Sequence, residues 1–131
     1  MAPGAGPKRA IFEQFAVVAQ AIANGHRVEL IELLAQGERS VEAVARLSGL
    51  RLTNASQHLQ ILRRAGLVAT RRSGKQVLYR LADRDVVDLL TAVRRTAERG
   101  IAGIDKLCRA IFMSGTRLSR CLKAPLILAT I

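Results

Sequence analysis

Aromatic rings are scarce in this chain: its 131 residues include three Phe, one Tyr and no Trp. That weighs against surfaces that read single-stranded nucleic acid, or hold a planar cofactor, by stacking, because each base or ring needs a π-face to lie on. Cysteine is scarce too. Cys108 and Cys121 form no CxxC or zinc-ribbon spacing and are too few to staple a small secreted scaffold, so a reducing, cytoplasmic setting is expected. No uncharged apolar run approaches the roughly 18 residues of a membrane span. The Pro- and Gly-rich start over residues 1–9 lacks the apolar stretch and cleavage pattern of a secretory signal. Also missing are a Gly-rich phosphate loop, a metal triad, and a Ser or Cys nucleophile with a plausible base, so neither catalytic residues nor a cofactor is expected.

The most informative absence is of negative charge. Residues 43–82 hold eight Lys and Arg and no carboxylate, whereas residues 1–42 are nearly neutral and the whole chain carries +11. Solvated faces normally intersperse acids for solubility, so an unbroken basic block points to a polyanionic partner.

Half of the residues are hydrophobic, enough for one packed domain. Ile11, Phe12, Phe15, Val18, Ala19 and Ile22 recur at helical spacing and predict a first helix over residues 8–23, broken by Asn24-Gly25. A second helix follows, with Val28, Ile31, Leu34 and Ala35 on its apolar side and Glu29 and Glu32 opposite, stopping at Gly37. His26, near its start, reads as a cap or interface residue. Ser40 is a good N-cap for a short third helix over residues 41–48, closed by Gly49. In a fourth helix, over residues 52–65, Leu52, Ala55, Leu59 and Leu62 face inward and Thr53, Asn54, Ser56, Gln57, His58 and Gln60 look elsewhere. Beyond Gly66, two β-leaning runs around Ser73-Gly74-Lys75 predict a hairpin with a basic tip. Asp83 can then cap a long last helix whose Val86, Leu90, Val93, Ala97, Gly100, Ile104, Leu107 and Ile111 form a heptad-like seam suited to a second copy of the chain.

These elements predict a mainly α fold with a small β-hairpin: helix, short turn, helix and hairpin, the order of a winged helix-turn-helix. The expected layout is a flexible N-terminus over residues 1–9, the domain with its dimerisation helices over 10–112, and a tail over 113–131 without trusted periodicity. A helix entering the major groove needs donors and acceptors for base edges, which Thr53, Asn54, Ser56, Gln57, His58 and Gln60 supply. Arg63, Arg64, Arg71, Arg72 and Lys75 would hold the phosphate backbone, and Tyr79 completes the candidate set of DNA contacts. The rival reading is a non-specific basic nucleic-acid-binding architectural protein.

The stretch Asn54-Ala55-Ser56-Gln57-His58-Leu59-Gln60-Ile61-Leu62-Arg63-Arg64-Ala65-Gly66-Leu67-Val68, followed by Arg71-Arg72-Ser73-Gly74-Lys75-Gln76-Val77-Leu78-Tyr79-Arg80-Leu81, resembles the ArsR/SmtB family of bacterial transcriptional repressors. The resemblance implies a homodimer joined through its first and last helices. It also implies binding to a palindromic double-stranded DNA operator, with release by an effector. Metal-sensing members carry a Cys-x-Cys-like element on the third helix, where this chain has Ser40-Val41-Glu42. Others place Asp-x-His and a later His-containing pair on the last helix, where it has Asp83-Arg84-Asp85 and Thr96-Ala97-Glu98-Arg99. No metal site is therefore expected. Cys108 is placed like one of the two cysteines of thiol-sensing members, which makes it the effector candidate, although the second helix lacks the other. Residues 104–112 also resemble the link that leads some members into a rhodanese domain, and nothing resembling that domain follows.

Overall fold

A computed structural model describes residues 6–100. In order, they form α1 (Pro7–Ile22), α2 (Gly25–Ala35), β1 (Arg39–Ser40), α3 (Val41–Ser48), α4 (Leu52–Arg64), β2 (Val68–Ser73), β3 (Gln76–Leu81) and α5 (Arg84–Gly100). The helices close over one face of a three-stranded antiparallel sheet of order β1-β3-β2, the architecture of a winged helix-turn-helix.

Local chemistry sets most boundaries. Pro7 at the first position of α1 loses no hydrogen bond there and pre-sets φ, so the helix begins one residue before the expected Lys8 and takes in the last residues of the stretch assigned to the flexible start. The Asn24 side chain accepts from the Arg27 N–H at 3.2 Å and caps α2, a role the sequence left open to His26. Ser40 caps α3 by accepting from Ala43 N–H at 3.2 Å, as expected. After α4, Gly66 takes φ +82°, so its N–H reaches Arg63 O and the Leu67 N–H reaches Leu62 O, both at 3.0 Å. This left-handed helix stop turns the chain directly into the wing. The Asp83 carboxylate accepts from Asp85 N–H at 2.9 Å and starts α5.

Three features differ from the sequence expectations. Arg39–Ser40 adds a third strand, pairing Arg39 with Tyr79 and Ser40 with Leu78; two residues carry no periodicity to read. Glu32, expected on the solvent side of α2, is buried, because α2 is the central helix and Leu30, Ile31, Leu33 and Leu34 all enter the core around it. Its Oε1 accepts from Arg94 Nη2 of α5, while Glu32 Oε2 and Arg94 Nη1 are buried without a partner. Finally, Val86 and Leu90 of the expected intermolecular seam lie in the chain's own core, leaving Val93 exposed and Ala97 half-buried. A heptad stripe fixes which face of α5 is apolar, not which molecule covers it. α5 is described as far as Gly100, and Ile104, Leu107 and Ile111 lie outside the described residues.

Candidate nucleic-acid interface

α3 and α4 are joined by a tight turn in which Leu50 N–H reaches Ser48 Oγ at 3.4 Å while that hydroxyl donates to Val44 O at 2.7 Å. Ala55, Leu59 and Leu62 of α4 are completely buried, and at roughly 2 kcal/mol for each leucine this contact fixes the helix's rotation. At 100° per residue, the side opposite them carries Thr53, Gln57 and Arg64, with Asn54 on one flank and Arg63 on the other. All five are exposed. No side chain caps the N-terminus of α4, which follows Arg51. The exposed ridge is therefore free of acids, with base-sized donors and acceptors at its first two turns, Ile61 beyond them and guanidinium groups at its last.

Ser56 and Gln60 are half-buried on the flank toward the wing, where the Gln60 amide Nε2 donates to the Tyr79 hydroxyl at 3.4 Å. Tyr79 belongs to the interior: it is 6% exposed, so its ring cannot lie on a phosphate or a base edge. Side chains alternate along β3, which sends Tyr79 to the helices and Arg80 to solvent. Burial sets Tyr79 against Gln60 within the domain, away from the exposed face on which a DNA contact was expected.

His58 also differs from expectation. It lies on the α2 flank of α4, 5.7 Å ring to ring from His26, with its Nδ1 3.5 Å from Arg27 Nη1. Burial, then the charges of Arg27 and His26, holds its pKa below the ordinary histidine value. His58 therefore joins two helices inside the domain and is not part of the outward ridge. The i, i+3 to i, i+4 spacing showed it off the core stripe, but only the position of α2 shows what it touches.

The wing is a hairpin in which Ser73 pairs with Gln76 around Gly74-Lys75, and Gly74 supplies the positive φ of +62° that this two-residue loop needs. Arg71 and Arg72 look alike in sequence but project from opposite faces. Arg72 shares the face of Val68 and Thr70 at its exposed far end, and Lys75 is exposed at the tip. Arg71 donates from Nε to Glu38 Oε2 at 2.7 Å and from Nη2 to Oε1 at 2.5 Å. This hydrogen bonding, aided by the Arg71 and Arg80 charges, lowers the Glu38 pKa. Arg80 and Arg51, both exposed, add cations that the basic block contained but the candidate set omitted.

A family model described as a helix-turn-helix domain matches residues 22–71. The chain is 35% identical over 98 residues to the HTH-type transcriptional repressor SmtB of Mycobacterium tuberculosis, covering 74% of this chain and 73% of that one. It belongs to the ArsR/SmtB family. Another relative, the HTH-type transcriptional regulator Rv0324 of Mycobacterium tuberculosis, is 44% identical over 104 residues. That match covers 79% of this chain but 46% of the relative's length. A solution structure of the homodimeric winged helix-turn-helix DNA-binding domain (fragment 1–100) of Mb0332 from Mycobacterium bovis superposes with a TM-score of 0.70 at 44% identity, covering 77% of this chain and 94% of that fragment. Membership in this ArsR/SmtB family favours the DNA-binding regulator over the non-specific architectural alternative. Among the described residues no helix is long and apolar enough to cross a membrane, and no three His, Cys, Asp or Glu residues are grouped as a metal site. Cys108 and Cys121 lie outside the described residues.

Proposed function

We propose that this chain is a sequence-specific, double-stranded-DNA-binding transcriptional repressor, acting in the cytoplasm as a homodimer on a palindromic operator and carrying no catalytic site. The observation that carries this reading is the exposed, acid-free ridge of α4 beside a basic wing. Thr53, Asn54 and Gln57 read base edges, with Ser56 and Gln60 on the wing side of the same helix. Arg63, Arg64, Arg72 and Lys75 hold phosphates, and Arg71 joins them when Glu38 lets go. The functional unit spans residues 10–112, with residues 104–112 as a link of the kind that precedes a rhodanese domain and Cys108 as the effector-sensing thiol.

Dimerisation uses the apolar side of α1, where Ile11, Phe12 and Phe15 are exposed, together with Val93 on α5. Phe12 and Phe15 already meet edge to face at 5.9 Å and would be covered by the second copy. The test is competition between duplex from the chain's own promoter region and random duplex at fixed salt. A preference of about a thousandfold is expected, and equal competition would overturn sequence-specific binding.

A further inference from the structure

Beside the outward ridge of α4 lies a groove of about 320 Å³ between α1, α2 and α4. Its apolar lining is Val17 and Ala21 of α1 with Ile61 and Ala65 of α4; its charged lining is Arg27 of α2 and Arg64 of α4. Val17 and Ile61 are 45% and 37% exposed, two aliphatic side chains that the core leaves in water. No carboxylate is among the lining residues. Arg27 is held in place, donating from Nε to Ala21 O at 2.5 Å and from Nη2 to Gln20 O at 3.2 Å, with Nη1 3.5 Å from His58 Nδ1, so its charge is fixed by its neighbours. Among the described residues, no ion pair engages Arg64.

Charge and shape select the occupant. Residues 101–131 hold five Lys and Arg and one Asp, so their net charge has the same sign as the lining and does not complement it. A bare phosphate would satisfy the guanidinium groups and leave the exposed Val17 and Ile61 side chains wet. The volume is at the small end of ligand pockets, which run from about 300 to 1,000 Å³ and combine apolar walls with a few fixed polar groups. We propose that this groove binds a small amphipathic carboxylate, with its apolar chain on Val17, Ala21, Ile61 and Ala65 and its carboxylate held by Arg27 and Arg64. A charge-assisted contact to a guanidinium gives direction, and burial of the chain gives affinity.

The consequence for control rests on the DNA-binding reading of α4. A carboxylate on Arg64 cancels one of the charges that faces the phosphates and sets a negative group beside the recognition helix. Bound ligand and bound operator therefore oppose each other, and by linkage each weakens the other equally.

The test titrates the full chain with octanoate by calorimetry, alongside acetate, which has only the charge, and 1-octanol, which has only the chain. Octanoate is expected to saturate one site per chain, with acetate and octanol at least about tenfold weaker. Arg64→Gln should weaken octanoate about tenfold, and Val17→Phe, which fills the groove, should abolish its saturable binding with the circular dichroism and melting curve unchanged. Octanoate at saturation should lower wild-type affinity for the duplex at least about fivefold and leave that of Val17→Phe alone. Octanol binding as well as octanoate, no saturable octanoate binding, or full octanoate affinity in both variants would overturn the site. Normal octanoate binding with unchanged duplex affinity would overturn its control of DNA. A chain that binds octanoate but no duplex at all would refute the proposed function and leave the groove assignment standing.

Discussion

Arg71 of the wing and Glu38 of the segment before β1 form a two-point ion pair across 33 residues, at 2.7 and 2.5 Å. This acid thus lies on one of the cations expected to hold DNA. Glu38→Gln should release Arg71. If Arg63, Arg64, Arg72 and Lys75 hold phosphates in each subunit, about eight contacts give a log–log salt slope near −7, and the variant, with about ten, should steepen to about −9. Fluorescence anisotropy between 50 and 200 mM salt measures both. Identical slopes would remove Arg71 from the phosphate-binding set.

Base reading and backbone binding should separate by substitution. Gln57 lies on the exposed ridge of α4, so Gln57→Ala is expected to cost about 1–3 kcal/mol on the preferred operator and little on random duplex. Lys75→Ala should weaken both alike, because a phosphate contact carries no sequence information. Equal losses on the two duplexes for Gln57→Ala would place Gln57 outside the reading set.

The buried Glu32–Arg94 pair ties α2 to α5, the helix that carries Val93 toward the proposed partner. Arg94→Met should destabilise by about 3–5 kcal/mol by leaving a buried carboxylate alone, whereas the Glu32→Met, Arg94→Met double variant should recover most of that loss. Burial raises the Glu32 pKa above its ordinary 4.5, outweighing the opposing pull of Arg94. The folded state therefore binds the proton more tightly than the unfolded one. The stability this gives is complete below about pH 4.5 and is lost as pH rises through the raised folded value. In urea unfolding between pH 4 and 8, Glu32→Gln should lose this component of the pH dependence. A wild-type and variant difference that is constant across the range would contradict the raised value.

Dimer formation should depend on α1 more than on the first part of the heptad stripe. Leu90 is 3% exposed inside its own subunit, so Leu90→Glu should unfold the chain and not merely separate copies. Phe12 and Phe15 are more than half exposed, and the Phe12→Glu, Phe15→Glu variant should stay folded, become monomeric in light scattering at micromolar concentration, and bind DNA at least about a hundredfold more weakly through loss of the second half-site. A monomeric wild-type protein would refute the interface.

The element order was legible in the sequence because its signals are local. Ser40 needs only Ala43, three residues on, to start a helix, and Gly66 and Gly74 mark their turns through conformations that side chains disfavour. The acid-free block and the polar side of α4 were legible for the same reason: composition and a 3.6-residue period locate them without any partner. Contacts between distant segments decided the rest. Arg71 and Arg72 are neighbours in sequence, yet strand alternation turns one to Glu38 and the other to the wing's inner face. Tyr79 and His58 carry the chemistry of DNA contacts, but β3 packing buries the first and α2 engages the second. Glu32 has a helical period that fits solvent as well as Arg94, and only the crossing of α5 over α2 chooses between them. Local chemistry along the chain sets which structures form and which face of each is apolar or basic. Tertiary structure decided which of those faces meet, because burial and charge pairing are properties of two segments brought together and have no period along one.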